Sequence, residues 1–238
     1  LRLNNGKKAK KPEHWMQERR PEVLELFENE VYGVAPSRPD DLDHTVLSVD
    51  NNALEGKAVM KQVRIYFTAD KDGPGMDLLI FTPKHCTADG CPAFLGLNFY
   101  GNQSIHPDRG IKLPDAWMRN NEEYGITNHR ATEASRGARG HRWAVEEIVD
   151  RGYALATVYY GDIDPDYDDG FDNGVHGVFG KNTGTAGSGD DWGSIAAWAW
   201  GLSRAMDTEP ATSRARALSI DLRLMISRGL MSFSISMR

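Results

Sequence analysis

The sequence predicts an α/β fold, a sheet with parallel strands joined by helical crossovers. Three observations lead there. Uniformly apolar runs alternate with helix-patterned segments, Gly/Pro/Asp clusters separate them, and 238 residues are enough to bury one such core.

The elements follow in chain order. Residues 1–11 read as a flexible N-terminal segment. The stretch "PEHWMQERRPEVLELFENEVYG" (12–33) carries Val23, Leu24, Leu26, Phe27 and Val31 near helical spacing, with Gly33 as a stop. It is expected to be a packing helix that precedes the main sheet. "VRIYFT" (63–68) and "MDLLIFTP" (76–83) flank "ADKDGPG", whose turn chemistry predicts an antiparallel hairpin. "AFLGLNFY" (93–100) is apolar throughout, as expected of a strand covered on both faces. Residues 101–140 are polar and without periodicity, an extended loop or insertion of the kind that often carries function. "HRWAVEEIVDRG" (141–152) predicts a helix ending at Gly152, and "YALATVYY" (153–160) a second buried strand. This helix-to-strand step is what argues for a crossover. Residues 161–192, rich in Gly and Asp, read as loop. A helix then runs from about Asp191 to Asp207, with Asp190 or Asp191 as its N-cap.

Charge excludes one class of partner. Residues 1–210 carry 23 Lys+Arg against 33 Asp+Glu, and residues 211–238 carry 5 against 1. The main body is too acidic to track a phosphate backbone, and any nucleic-acid role falls to Arg214, Arg216, Arg223, Arg228 and Arg238. No apolar run approaches the roughly 20 residues that span a bilayer, and "LRLNNGKKAKKPEHW" has no signal-peptide core. The expected partners therefore include neither nucleic acid nor membrane. The two cysteines, Cys86 and Cys91, enclose a short loop and are either bridged or idle; with His85 they fall short of a tetrahedral metal set.

Four motifs are candidates for chemistry. Ser203 sits in "GLSRA", but the Ala- and Trp-rich residues before it are helical rather than strand-like, so it lies near a helix end and is not expected to be a nucleophile. Asp162, Asp164, Asp166 and Asp168 alternate like a calcium loop, yet the sixth and twelfth positions are Tyr167 and Asn173 rather than Gly and Glu. They read as a turn-forming loop bordering the sheet edge where ligands bind. The seven histidines (14, 44, 85, 106, 129, 141 and 176) form no metal spacing and read as surface or loop residues. Gly101, Asn102 and Gln103 follow the apolar strand 93–100, at the place where α/β-hydrolases donate backbone N–H groups to an oxyanion.

The stretches "RRPEVLELFENEVYG", "LGLNFYGNQS", "RGYALATVYYGDIDPD", "GFDNGV" and "WGSIAAWAWGLSRAMD" resemble carbohydrate esterase family fifteen, the glucuronoyl esterases, over most of residues 12–207. The resemblance implies an α/β-hydrolase-type three-layer sandwich and hydrolysis of uronoyl esters joining glucuronoxylan to lignin alcohols. It further implies a Ser-His-acid triad without metal or organic cofactor, a secreted or periplasmic location, and a monomer when the fold is complete. The family's nucleophile lies in G-x-S-R-x-G-K, which occurs nowhere in this sequence, so no catalytic residue carries over. Gly101, Asn102 and Gln103 remain the oxyanion-side or substrate-proximal residues.

The likeness stops near Thr208. Residues 211–238 hold six Ser and five Arg, against seven Ser in residues 1–210, a break that fits a reading-frame shift or chimeric end. Residues 208–238 are thus expected to be an atypical tail after an incomplete hydrolase domain. Strands one to four are present and the nucleophile strand is missing, which leaves the fourth strand (153–160) with an unpaired edge and the chain poorly soluble. The alternative is a non-catalytic carbohydrate-binding or interaction module, with Trp117, Trp192, Trp198 and Trp200 as sugar-stacking candidates.

Overall fold

The computed structural model describes residues 1–86, 90–180 and 191–207. Its main sheet contains β1 (Asp43–Asn52), β2 (Ala58–Tyr66), β3 (Gly75–Pro83), β4 (Ala93–Asn98) and β7 (Ala154–Tyr159), in the order β1-β2-β3-β7-β4. Between β4 and β7 in sequence, β5 (Ile126–Thr127) and β6 (Arg130–Ala131) form a separate small ribbon. The first three strands are antiparallel, β7 is antiparallel to β3, and β4 is parallel to β7. The tail from Thr208, with its five arginines, lies outside the described residues.

The predicted hairpin forms: β2 and β3 pair from Ala58↔Pro83 to Tyr66↔Gly75 across the Asp72-Gly73-Pro74 turn. Strand β1 is absent from the sequence-based expectation. Its residues Val46, Leu47 and Val49 are all exposed, so "DHTVLSVDNN" shows neither strict alternation nor a buried run.

The N-terminal helix forms but does not pack as expected. It runs through α1 (Pro12–His14), a π-helical stretch at Trp15–Arg19, α2 (Arg20–Phe27) and a second π-helical stretch at Glu28–Tyr32. None of its residues is buried, and Leu24, Leu26, Phe27 and Val31 lie exposed. Helical spacing correctly gives the secondary structure; the packing partner is what the expectation got wrong. Before it, residues 1–9 fold back in a turn that buries Leu3.

A left-handed turn, α3 (Ala53–Gly56), joins β1 to β2, with Leu54 and Glu55 both at positive φ. The helix expected over 141–152 divides into α4 (Gly140–Trp143) and α5 (Val145–Asp150), because Ala144 takes a φ of 40° and breaks the hydrogen-bond ladder. The segment expected as loop after β7 contains two short helices, α6 (Tyr160–Ile163) and α7 (Gly174–Phe179). The last described helix, α8 (Ser194–Met206), starts after Gly193, which makes no side-chain cap; neither aspartate proposed for that role is the N-cap.

Helices cover both faces of the sheet, giving three layers. On one face Val63, Ile65, Met76, Leu78, Ile80, Leu95 and Val158 pack with Ala197, Trp200, Leu202 and Ala205 of α8. On the other, Met60, Leu79, Phe81 and Leu155 meet Val145 and Val149 of α5. Each large side chain fully removed from water here contributes roughly 1.5–3 kcal/mol. Cys86 and Cys91 are joined in a disulfide with Cα atoms 5.4 Å apart, clipping the connection from β3 to β4.

Two expectations for the parallel pair are corrected. Among the described residues the edges of the sheet are β1 and β4, whereas β7 lies between β3 and β4 and has no unpaired side. Being an edge, β4 is also incompletely covered: Phe94 is 37% exposed.

Candidate functional site

Because β4 and β7 are parallel, their C-terminal ends, Asn98 and Tyr159, lie side by side. In α/β sheets this is the end at which sites assemble. The chain leaves β4 through Gly101, whose φ of 86° and ψ of 154° are essentially restricted to glycine. A Cβ there would lie 2.2 Å from Gln103 Oε1 and 2.6 Å from Met118 Cε. A 3-10 turn, Asn102–Ser104, follows, closed by Ser104 N–H donating to the Gly101 carbonyl at 3.0 Å.

The side chains of this turn are turned inward and hydrogen-bonded, although Gln103 Oε1 is buried without a partner. Asn102 Nδ2 donates to the Asp77 carbonyl at 2.8 Å, and Asn102 Oδ1 accepts from Asn98 Nδ2 at 2.7 Å. Gln103, with no exposed surface, donates through Nε2 to the Tyr100 carbonyl and to Ser135 Oγ. The far end of the long polar insertion clamps the same turn from outside: Gly137 N–H donates to Gln103 O and Arg139 N–H to Ser104 O. Arg139 also lies over the rings of Tyr100 and Tyr124, at 5.0 and 4.8 Å. The side chains of Asn102 and Gln103 are therefore committed to the fold. The first N–H groups of a helical turn have no acceptor within it, so those of Asn102 and Gln103 are its available donors.

Charge gathers just beneath. Asp77, on β3, pairs with Lys112 Nζ at 2.9 Å and Arg64 at 3.2 Å. Its N–H donates to Asp162 Oδ2, on α6, at 3.1 Å. Burial, then the neighbouring Asp77 carboxylate, pushes the Asp162 carboxyl up to about 7. Burial likewise raises the phenols of Tyr159, which donates to the Trp117 carbonyl, and of Tyr160, which donates to Asp166.

The four alternating aspartates do not converge. Asp162 meets Asp77, Asp164 meets His176, Asp166 meets Tyr160 and Asp168 accepts from Gly170 N–H. Among the described residues no group of three His, Cys, Asp or Glu could hold a metal ion, and no helix is long and apolar enough to cross a membrane. An open cleft is lined by Arg119, Asp166, Tyr167, Asp169, Phe171 and Ser194.

The histidine reading needs one correction. His176 is 1% exposed, with Nδ1 2.7 Å from Asp164 Oδ1 and Nε2 3.1 Å from the Trp192 carbonyl oxygen. Such a buried His–Asp pair is the skeleton of a catalytic dyad, but here both ring nitrogens are occupied, by Asp164 and the Trp192 carbonyl. It fastens the loop after β7 to the start of α8. Sequence gave no warning, since the partners are twelve residues apart and fit no motif. Ser203 behaves as expected of a helical serine: its Oγ donates to the Trp200 carbonyl at 2.7 Å. Of the tryptophans named as sugar-stacking candidates, Trp192 and Trp200 are core residues. Trp198 is partly buried, its indole donating to the Asp164 carbonyl. Trp117 stacks between His129 and Tyr167.

The chain as a whole has counterparts among known proteins. A carbohydrate esterase, MZ0003, from an unknown prokaryotic organism is 43% identical over 207 residues, covering 87% of this chain and 47% of that protein. A glucuronoyl esterase from Solibacter usitatus superposes with a TM-score of 0.80 at 41% identity, over 91% of this chain and 54% of its own. Over nearly its whole length the chain is similar to CE15 carbohydrate esterases. A promiscuous CE15 esterase from a marine bacterial metagenome gives 0.78 and 41%, covering 91% of this chain and 53% of its own. The chain thus spans about half the length of these CE15 relatives. No protein-family model matches it.

Proposed function

We propose that this chain supplies the oxyanion side of a CE15-type esterase acting on uronoyl esters of plant cell-wall glucuronoxylan, and that it lacks the nucleophile. The observation that carries this reading is the Gly101–Ser104 turn: glycine geometry and buried, hydrogen-bonded side chains at the C-terminal end of a parallel strand. Attack on an ester carbonyl moves negative charge onto its oxygen. Fixed N–H groups from Asn102 and Gln103 stabilise that charge more than they stabilise the neutral carbonyl, and one such donor is worth roughly 10²–10³ in rate. The nucleophile, its His base and the acid come from sequence beyond Asp207 in a full-length esterase. A secreted or periplasmic location and a monomeric complete enzyme belong to the same proposal.

Two measurements test it. The chain itself is expected to hydrolyse a glucuronate benzyl ester at background rate, and Ser203→Ala to change nothing; turnover abolished by Ser203→Ala would make that serine the nucleophile. Conversely, residues 12–207 placed into the matching part of the Solibacter usitatus esterase should give an active hybrid. A folded hybrid without glucuronoyl ester hydrolysis would overturn the substrate reading.

A further inference from the structure

The Gly101–Ser104 turn is tied to the sheet through one residue of β3. Asp77 is 8% exposed, and four segments distant in sequence meet on it. Its carbonyl accepts from Asn102 of the turn, its N–H donates to Asp162 of α6, and its carboxylate takes Arg64 of β2 and Lys112 of the insertion. The two peptide groups flanking a single Cα therefore hold the turn on one side and a second carboxyl on the other.

We propose that Asp77 is a positioning residue for this turn, and that ionisation of Asp162 moves the turn through it. The groups facing Asp162 are Asp77 from β3, Arg64 from β2, Lys112 from the insertion and the Tyr159 phenol from β7. Arg64 and Lys112 make their shortest contacts to Asp77, Lys112 lying also 3.9 Å from Asp115, and Asp162 accepts its hydrogen bond from the Asp77 N–H. Ionising Asp162 sets two carboxylates around that one peptide. The repulsion is relieved by displacing Asp77, and the Asn102 amide follows because it is bonded to the Asp77 carbonyl.

The sign of the pH dependence follows from the upward shift of Asp162, from an ordinary 3.8 to about 7. The folded state keeps a proton that the unfolded chain releases. The contribution to stability is complete below about pH 4 and is lost as pH rises to about 7. The function of the turn rests on the esterase reading above; its coupling to Asp162 does not.

Amide NMR of the full chain between pH 5.5 and 8.5 tests the coupling without any substrate. The Asp77, Asn102 and Gln103 amides are expected to titrate with a midpoint near 7, and this titration is expected to vanish in Asp162→Asn. In Asp77→Asn, which keeps both backbone bonds while removing the like charge, the midpoint should fall by about one pH unit or more. Amides that stay flat in the wild type, or a midpoint that survives Asp162→Asn, would overturn the proposal. Should Asp162→Asn not fold, an unmoved midpoint in Asp77→Asn overturns it equally. An inactive hybrid esterase with this titration intact would sink the esterase reading alone.

Discussion

Phe81 and Phe94 are paired in register with the same residue, Leu155 of β7, one from β3 and the other from β4. Direct partners in a sheet point to the same face, so the two rings flank Leu155 like a matched pair. Phe81 is completely buried, whereas Phe94 is 37% exposed and rests against Tyr153 at 5.3 Å. The difference lies in the neighbours. Strand β3 has β2 on its far side and α5 above, while β4 has no further strand among the described residues. An apolar strand is thus buried by its neighbours, and one at the edge of the described sheet carries more hydrophobic surface than its surroundings cover. The exposed Leu24, Leu26, Phe27 and Val31 of the N-terminal helix show the same imbalance.

Three substitutions sharpen this contrast. Phe81→Ala should be the most damaging, costing about 3–5 kcal/mol for lost burial and the cavity left behind, read from urea unfolding. Gly101→Ala, at the exit of β4, forces a Cβ into a conformation nearly exclusive to glycine and against Gln103 Oε1. About 1–3 kcal/mol of stability should go, with the Asn102 and Gln103 amide resonances displaced. Phe94→Ala should cost less than about 1 kcal/mol, because its ring is only partly withdrawn from water. A Phe94→Ala loss equal to that of Phe81→Ala would mean that β4 is covered in solution, and would end the contrast.

What the sequence made legible was local. The β2–β3 hairpin was announced by Asp72-Gly73-Pro74-Gly75 between apolar runs, and β7 and α8 by their own patterns. Strand β1 was hidden because its outward-facing apolar side chains mimic no periodicity. The candidate turn could be placed by its position after a strand, with Gly101 as the clue. The residues that hold it could not: Asp77 and Asp162 are 85 positions apart, and nothing in either neighbourhood encodes their meeting. The same limit concealed the His176–Asp164 pair. Periodicity reports which face of an element is apolar, whereas buried polar contacts depend on how distant elements are brought together.

The indoles around α8 give the protein a built-in optical reporter. Trp192, Trp198 and Trp200 donate to the carbonyls of Gly180, Asp164 and Pro36, which ties the helix to the loop after β7 and to the segment before β1. Trp192 and Trp200 stand 6.1 Å apart, edge to face, in the same dry cluster. Detaching α8 would wet these rings and separate them together. Blue-shifted fluorescence and a near-ultraviolet dichroic signal should therefore disappear in step with the docking of that one helix, whatever happens to the far side of the sheet.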